Sequence, residues 1–174
     1  MTSAPIVRLQ VVGDRDDDLP LALLALRPRP EQEQFSSAAD RTLPEAMANP
    51  ARTPFAVLAG GEPVGFGVLD REGYLDELVD APERAVLLRA FYVGARHQGR
   101  GYGTAAAAQV PQLAGELFAD AELVVLTVNE RNPAAVAAYS RAGFRDTGAR
   151  YLGGDAGPQR VLVAAVPRRA AQPA

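Results

Sequence analysis

The chain has 174 residues, of which 48% are hydrophobic and 22% are charged, with a formal net charge of −3. This composition is typical of one globular domain. The sequence contains no Cys, no Lys and a single His. These absences exclude disulfides, thiolate nucleophiles, a lysine Schiff base and any metal site built on two imidazoles, so we expect no metal.

The charge is unevenly distributed along the chain. Residues 1–84 carry a net charge of −7 and residues 85–174 carry +4. The basic half suits an anionic ligand and the acidic half a cationic one, although solvated faces would look the same. No basic run indicates nucleic acid, and the apolar runs are too short for a membrane span. Because the N-terminus lacks an apolar signal core, we expect a cytoplasmic protein.

Apolar periodicity predicts a mixed succession of strands and helices. In chain order these are a strand over 5–12, a helix over 19–26, short helices capped near Ser36 or Ser37 and over 42–48, strands over 55–59, 64–70 and 85–93, a helix over 104–118, a strand over 123–128, a helix over 133–142 and strands over 144–151 and 160–166. The pair Gly60-Gly61 is typical of a hairpin turn. This order predicts an α/β or α+β domain with a mixed twisted sheet of about six to seven strands and about four helices. We expect one domain over 1–166 and a flexible tail over 167–174.

The most informative segment, residues 98–103, reads Gln-Gly-Arg-Gly-Tyr-Gly and lies between a predicted strand and a predicted helix. Glycines let the backbone turn with its N–H groups inward, and the helix start adds unpaired N–H groups. Together they predict an anion site suited to phosphate or pyrophosphate, with Arg96 and Arg100 adding positive charge. A glycine-rich connection without a ligand is the alternative interpretation.

Two common nucleotide motifs do not fit this loop. A dinucleotide fold needs G-x-G-x-x-G, whereas the glycines here stand at 99, 101 and 103. A nucleoside triphosphatase loop needs Lys, which the chain lacks. The pattern Q/R-x-x-G-x-G/A is met by Gln98, Gly101 and Gly103. It resembles the acyl-CoA pyrophosphate loop of the GNAT N-acetyltransferase superfamily.

A second segment, residues 132–144, resembles the N-x-x-A-x-x-x-Y-x-x-x-G-F pattern of the same superfamily, with Asn132, Ala135 and Tyr139 in place. Ala135 and Tyr139 are four residues apart and share one helical face, so the small alanine leaves room for a narrow ligand. Asn132 can form a hydrogen bond with an amide of the pantetheine arm. A helical tyrosine alone is more often a core residue, but two motifs in order favour the resemblance.

The resemblance covers roughly 5–166 and implies a sheet in which the strands at 85–93 and 122–128 splay apart to hold acetyl-CoA, with CoA as product. The residues that it implies for cofactor binding are Phe91, Tyr92, Val93, Arg96, Gln98, Gly99, Arg100, Gly101, Tyr102, Gly103, Thr104, Asn132, Ala135, Tyr139 and Arg141.

The implied reaction is the direct attack of a primary amine on acetyl-CoA. Tyr139 would be the catalytic acid that protonates the departing thiolate, and a backbone N–H near 91–93 would stabilise the oxyanion. The general base stays open because the strand at 85–93 carries Arg89 and no acid. The candidates, acting through water, are Glu31, Glu33, Asp70 and Glu72, with water alone as a further option. His97, inside the loop, is expected to face solvent or phosphate. A non-catalytic acyl-CoA-binding sensor or interaction module is the alternative function.

The acceptor is addressed by a weaker resemblance. Residues 29–49, 65–67 and 89–93 are similar to the diamine and spermidine acetyltransferase branch. In that interpretation Glu31 and Glu33 belong to the substrate pocket, and the acidic half suits a polyamine-like acceptor. Amino acids, antibiotics and protein N-termini are the other possible acceptors. The resemblance also makes a homodimer an expectation.

Overall fold

The computed structural model describes residues 4–13 and 18–168, so residues 169–174 of the predicted tail lie outside the described residues. The strands within this part of the chain are β1 (Arg8–Val11), β2 (Arg52–Ala59), β3 (Glu62–Asp70), β4 (Ala85–Val93), β5 (Leu123–Asn129), β6 (Arg145–Tyr151) and β7 (Gln159–Ala165). The α-helices are α1 (Leu19–Leu24), α2 (Ala39–Ala48), α3 (Tyr102–Leu117) and α4 (Pro133–Arg141). These elements confirm the predicted fold class and order.

All strands join one sheet in the order β1-β2-β3-β4-β5-β7-β6. Its neighbouring strands are antiparallel except β4 and β5, which run parallel. The β4–β5 pairing extends only from Ala85 opposite Leu123 to Leu87 opposite Val125. Beyond that point the two strands separate, as predicted, and their carboxyl-terminal halves enclose a cleft.

A bulge in β4 marks the start of this separation. Phe66 of β3 faces Tyr92, but Val68 faces Arg89, so two residues of β4 oppose one residue of β3. Ala90, inside the bulge, has a φ of 51°, a value that non-glycine residues rarely adopt. Such a bulge bends its strand and changes the direction of the side chains beside it.

Apolar side chains cover both faces of the sheet. On one face, α3 and α4 pack over a cluster that includes Val86 and Val124. On the other face, α1 and α2 pack over a cluster that includes Leu23, Leu43 and Phe66. Burying one such side chain stabilises the fold by about 1.5–3 kcal/mol, so both clusters stabilise the sheet around the cleft. None of the helices within residues 4–13 and 18–168 has both the length and the apolar character of a membrane span.

The prediction of a short helix capped by Ser36 or Ser37 was wrong. The chain forms a 3₁₀ turn at Pro30–Gln32, and α2 begins after Ala38 without a side-chain cap. The N–H of Ala39 instead donates to the hydroxyl of Tyr92 on β4, at 2.9 Å. A residue distant in sequence therefore satisfies the helix terminus that a local serine was expected to cap.

Candidate active site

A cavity of about 420 Å³ opens where β4 and β5 separate. Most of the residues predicted to hold acyl-CoA line it, namely Phe91, Tyr92, Val93, Gln98, Gly99, Gly101, Tyr102, Gly103, Thr104, Asn132, Ala135, Tyr139 and Arg141. Arg96 and Arg100 are exposed and lie outside this lining. The structure thus assembles the two sequence motifs around one space.

One end of the cavity, which we call the phosphate end, is formed by residues 98–104. Gly99 and Gly101 have φ values of 77° and 80°, which favour glycine. The N–H of Ala105 donates to the carbonyl of Gly101, forming the first hydrogen bond of α3. The N–H groups just before it, from Tyr102 to Thr104, precede the helical ladder. Free N–H groups at a helix start can cradle an anion, so the loop fits a pyrophosphate.

The side chain of Gln98 holds this loop in place. Its amide nitrogen donates to the carbonyl of Val93 at 2.9 Å and to Oε1 of Gln32 at 2.6 Å. These bonds tie the loop to β4 and to the segment that precedes α2. His97 is half-buried, with Nε2 3.9 Å from Oε1 of Glu62.

The second motif begins with Asn132, which caps α4. Its side-chain oxygen accepts a hydrogen bond from the N–H of Ala135, at 3.3 Å, and Pro133 occupies the first turn. Both features are typical of a helix start. The side-chain nitrogen of Asn132 is not needed for the cap, so its predicted contact with the pantetheine arm stays a prediction.

Tyr139 projects from α4 into an aromatic environment. Its ring centroid lies 6.1 Å from that of Phe91 and 5.7 Å from that of Phe144. Partial burial raises the pKa of the Tyr139 hydroxyl above its ordinary value, because a phenolate there would be less well solvated than in water. The hydroxyl therefore keeps its proton at neutral pH and is a hydrogen-bond donor on the cavity wall.

Asp70, a candidate base, is paired with two arginine side chains. It accepts hydrogen bonds from Nε of Arg52 at 3.0 Å, from Nη1 of Arg89 at 2.9 Å and from the N–H of Glu72 at 2.9 Å. Burial alone would raise the pKa of Asp70, but these bonds together hold it below its ordinary value. The carboxylate is thus a weak proton acceptor.

The other candidate bases are also outside the cavity. Glu31, Glu33 and Glu72 are exposed, and none of them belongs to its lining. Among the described residues that line the cavity, none is acidic. Of the options left open by the sequence, water alone agrees best with this geometry.

The part of the cavity around Arg89, which we call the acceptor end, was mostly missed by sequence reasoning. Its lining includes Arg89, Thr127 and Gln159, which come from three separate strands. No local pattern links these residues, since the register of the sheet brings them together. Only Arg89 carried a signal, as a charged residue inside an apolar strand.

A family model for the acetyltransferase (GNAT) family matches residues 21–144. The uncharacterized N-acetyltransferase YbbJ of Bacillus subtilis is 29% identical over 123 residues, which cover 71% of this chain and 77% of that protein. The chain therefore belongs to the GNAT acetyltransferase family. This confirms the prediction of an N-acetyltransferase with acetyl-CoA as cosubstrate.

Solved structures share the same fold. Aminoglycoside acetyltransferase AAC(6')-Ib in complex with coenzyme A superposes with a TM-score of 0.69 and 20% identity, covering 92% of this chain and 95% of that one. Spermidine N-acetyltransferase from Vibrio cholerae, in complex with CoA and spermine, gives a TM-score of 0.64 and 15% identity with the same coverage. At these identities the likeness shows the fold alone.

Proposed function

We propose that the protein transfers the acetyl group of acetyl-CoA to the primary amine of a small molecule, with Tyr139 as the catalytic acid. The observation that carries this proposal is the position of Tyr139, whose phenol is protonated at neutral pH, on the wall of the cavity that also contains the phosphate end. Structures of the same fold include enzymes whose names specify aminoglycosides or spermidine, which are small amines. A cytoplasmic location and a homodimer stay predictions.

The residues present fit acetyl-CoA, which supplies an activated acetyl thioester when bound. The N–H groups at the start of α3 would hold its pyrophosphate. Beyond Leu87, β4 has no strand partner on the side of β5 within the described chain. The free backbone edge near Phe91 would therefore bind the pantetheine amides as an added strand does.

Proton transfer is divided between Tyr139 and solvent. The Tyr139 hydroxyl would donate a hydrogen bond to the sulfur as its bond to the acetyl carbon breaks, and would pass its proton to the thiolate that forms. Because the phenolate is disfavoured by burial, it would at once regain a proton from the solvent that took the proton of the amine. Since no described lining residue is acidic, the amine would lose its proton to water. The cavity walls, including Phe91 and Ala135, would exclude other water from the reacting atoms.

The polyamine hypothesis has less support than the reaction itself. Glu31 and Glu33, its proposed anionic contacts, are exposed and outside the cavity lining. A polyamine-like acceptor therefore stays one candidate among the small amines.

Thiol release from acetyl-CoA, measured across a panel of small amines, tests the proposed function. We expect release that depends on the added amine and an acetylated product visible by mass spectrometry. If CoA raises the melting temperature but no amine releases thiol, the protein is an acyl-CoA-binding sensor instead.

A further inference from the structure

The charged lining of the cavity is basic. Arg89 and Arg141 line it, whereas none of the described lining residues is Asp or Glu. A polycation would enter this space without meeting a carboxylate, while an anion would meet a guanidinium. The charge of the cavity therefore carries information about the acceptor.

Arg89 lies too far from the loop to serve the phosphates. It precedes the β4 bulge, and Val93, next to the phosphate end, is four positions further along the strand. At about 3.3 Å per residue the two α-carbons are separated by up to roughly 13 Å. Tyr139, the proposed acid, packs on Phe91 between these two positions. A ligand group bound by Arg89 would therefore belong to the acceptor rather than to the phosphates.

The positive charge of Arg89 is only partly neutralised. Its described hydrogen bond is the one from Nη1 to Asp70, and the same carboxylate oxygen of Asp70 also accepts from Arg52. One buried carboxylate therefore faces two guanidinium groups. Glu45 approaches Arg52 at 3.7 Å and is mostly exposed. The Arg89 side chain is 36% exposed, so its remaining N–H groups can reach a ligand in the cavity.

Two stacked tyrosines lie near enough to Arg89 to feel its charge. The rings of Tyr74 and Tyr151 are stacked with centroids 4.5 Å apart, and the Tyr74 hydroxyl shares a hydrogen bond of 3.1 Å with Oγ1 of Thr127. Burial, Glu77 and Tyr74 raise the pKa of the Tyr151 hydroxyl, and Arg89 partly opposes them. Glu77 is the acidic group that faces this stack, and it is exposed.

We propose that Arg89 binds a carboxylate of the acceptor, so that the preferred substrate is an amine that also carries a carboxylate, such as an amino acid. This inference rests on the proposed function. A guanidinium suits the task because its planar fork forms paired, charge-assisted hydrogen bonds with a carboxylate.

The test compares amino acids with their uncharged carboxamides. We would measure kcat/KM for glycine, alanine and β-alanine, each beside its carboxamide, and for spermidine, in wild type and Arg89→Gln. For each pair we divide kcat/KM of the acid by kcat/KM of its carboxamide, and we call this the acid-to-amide ratio. Because the intrinsic reactivity of each amine is the same with both proteins, it cancels when the ratios of wild type and variant are compared. Losing a charge-assisted hydrogen bond should lower kcat/KM for the amino acids by about 10–100-fold, with the carboxamides nearly unchanged. Arg89→Lys should recover part of the loss because it keeps the charge.

Arg84→Gln is the matched control. Arg84 is exposed, pairs with Glu122 at 2.9 Å and lies at the opposite end of β4, so its loss removes the same charge without touching the cavity. The acid-to-amide ratio should stay at the wild-type value. The shift of melting temperature caused by CoA would report whether each variant folds.

Equal losses for acids and carboxamides in Arg89→Gln would overturn the inference and leave the proposed function intact. A wild-type preference for spermidine over every amino acid tested would do the same, and this readout does not depend on a variant that folds. Absence of thiol release with every amine would instead overturn the proposed function, and the inference with it.

Discussion

The two ends of the cavity recognise their ligands by different means. The phosphate end consists of one continuous loop, residues 98–104, and offers backbone N–H groups. The acceptor end consists of side chains such as Arg89, Thr127 and Gln159, which are far apart in sequence. Backbone recognition needs particular torsions and little else, so a short glycine motif encodes it. Side-chain recognition needs several elements in register, and no short motif encodes that.

The two ends also differ in how they hold charge. Residues of the phosphate end offer the partial charges of a helix start, which act on an anion without a buried ion. At the acceptor end, Arg89 belongs to an ion group that lies behind the cavity wall, in which Asp70 is 1% exposed and accepts hydrogen bonds from two arginines. The first arrangement tolerates changes in side chains that do not point at the ligand. The second is disturbed by any change in the three charges.

Gly103→Asp is expected to have the largest effect, because it places a carboxylate at the start of α3. A β-carbon at Gly103 would meet only Val93, at an ordinary 3.6 Å, so the fold should accept the side chain. Two unit charges about 4 Å apart near a protein surface repel by about 4 kcal/mol, which corresponds to about a 1000-fold loss of CoA affinity. Isothermal titration calorimetry with CoA measures the loss.

Gly103→Asn is the matched control for this change, since it adds a similar volume without a charge. It should weaken CoA binding much less than the aspartate does. If both variants bind CoA as wild type does, the pyrophosphate does not lie at this loop.

Tyr139→Phe tests the reaction between the two ends. Removing the positioned acid should lower kcat by about 10–1000-fold, while the aromatic packing with Phe91 keeps CoA affinity near wild type. Because burial raises the pKa of the hydroxyl, its deprotonation should cause no fall in kcat up to pH about 10. Steady-state kinetics over pH, with CoA titrations, check both statements. An unchanged kcat would remove Tyr139 from the rate-limiting chemistry.

Asp70→Asn tests, through stability, the ion group behind the acceptor end. The pKa of Asp70 is lowered in the folded protein, so its contribution is complete above the unfolded pKa of about 3.9 and declines as pH falls through the folded value. At neutral pH the variant should lose about 1–3 kcal/mol of unfolding free energy. The difference from wild type should shrink as the pH falls below about 4. Urea unfolding at several pH values measures it.

Asp40→Asn provides the comparison for this measurement. Asp40 pairs with Arg27 at 2.7 Å, but both side chains are more than a third exposed. Its loss should cost less stability than the loss of Asp70, because solvent screens the pair. Equal losses would show that burial of Asp70 does not strengthen its bonds.

The double change Glu31→Gln with Glu33→Gln is expected to have the smallest effect. Both side chains are exposed and outside the cavity lining. Since exposed charges are screened over about 8–10 Å at physiological salt, kcat/KM for spermidine should change by less than about twofold. A KM that rises more for spermidine than for a monoamine would restore the polyamine hypothesis and weaken the role given to Arg89.

The sequence by itself determined the framework and the phosphate end. Strand β4 has the predicted bounds, and Gly60 and Gly61 adopt the positive φ values of 57° and 83° that their hairpin turn requires. The face shared by Ala135 and Tyr139 also follows from helical spacing. These features depend on torsions and neighbours within a few residues, which a local pattern specifies.

Only the tertiary structure decided which residues form the acceptor end and which of the candidate bases are free to accept a proton. The Tyr92 hydroxyl donates to the Leu26 carbonyl and accepts from the Ala39 N–H, on the face of the sheet covered by α1 and α2. The sequence motif had predicted only that Tyr92 binds the cofactor. Asp70 is paired with Arg52 and Arg89 because the register of β2, β3 and β4 places both arginines beside it. Such contacts join residues separated by many positions along the chain. Their energies depend on packing and burial that exist only once the sheet has formed, so the sequence pattern could not reveal them.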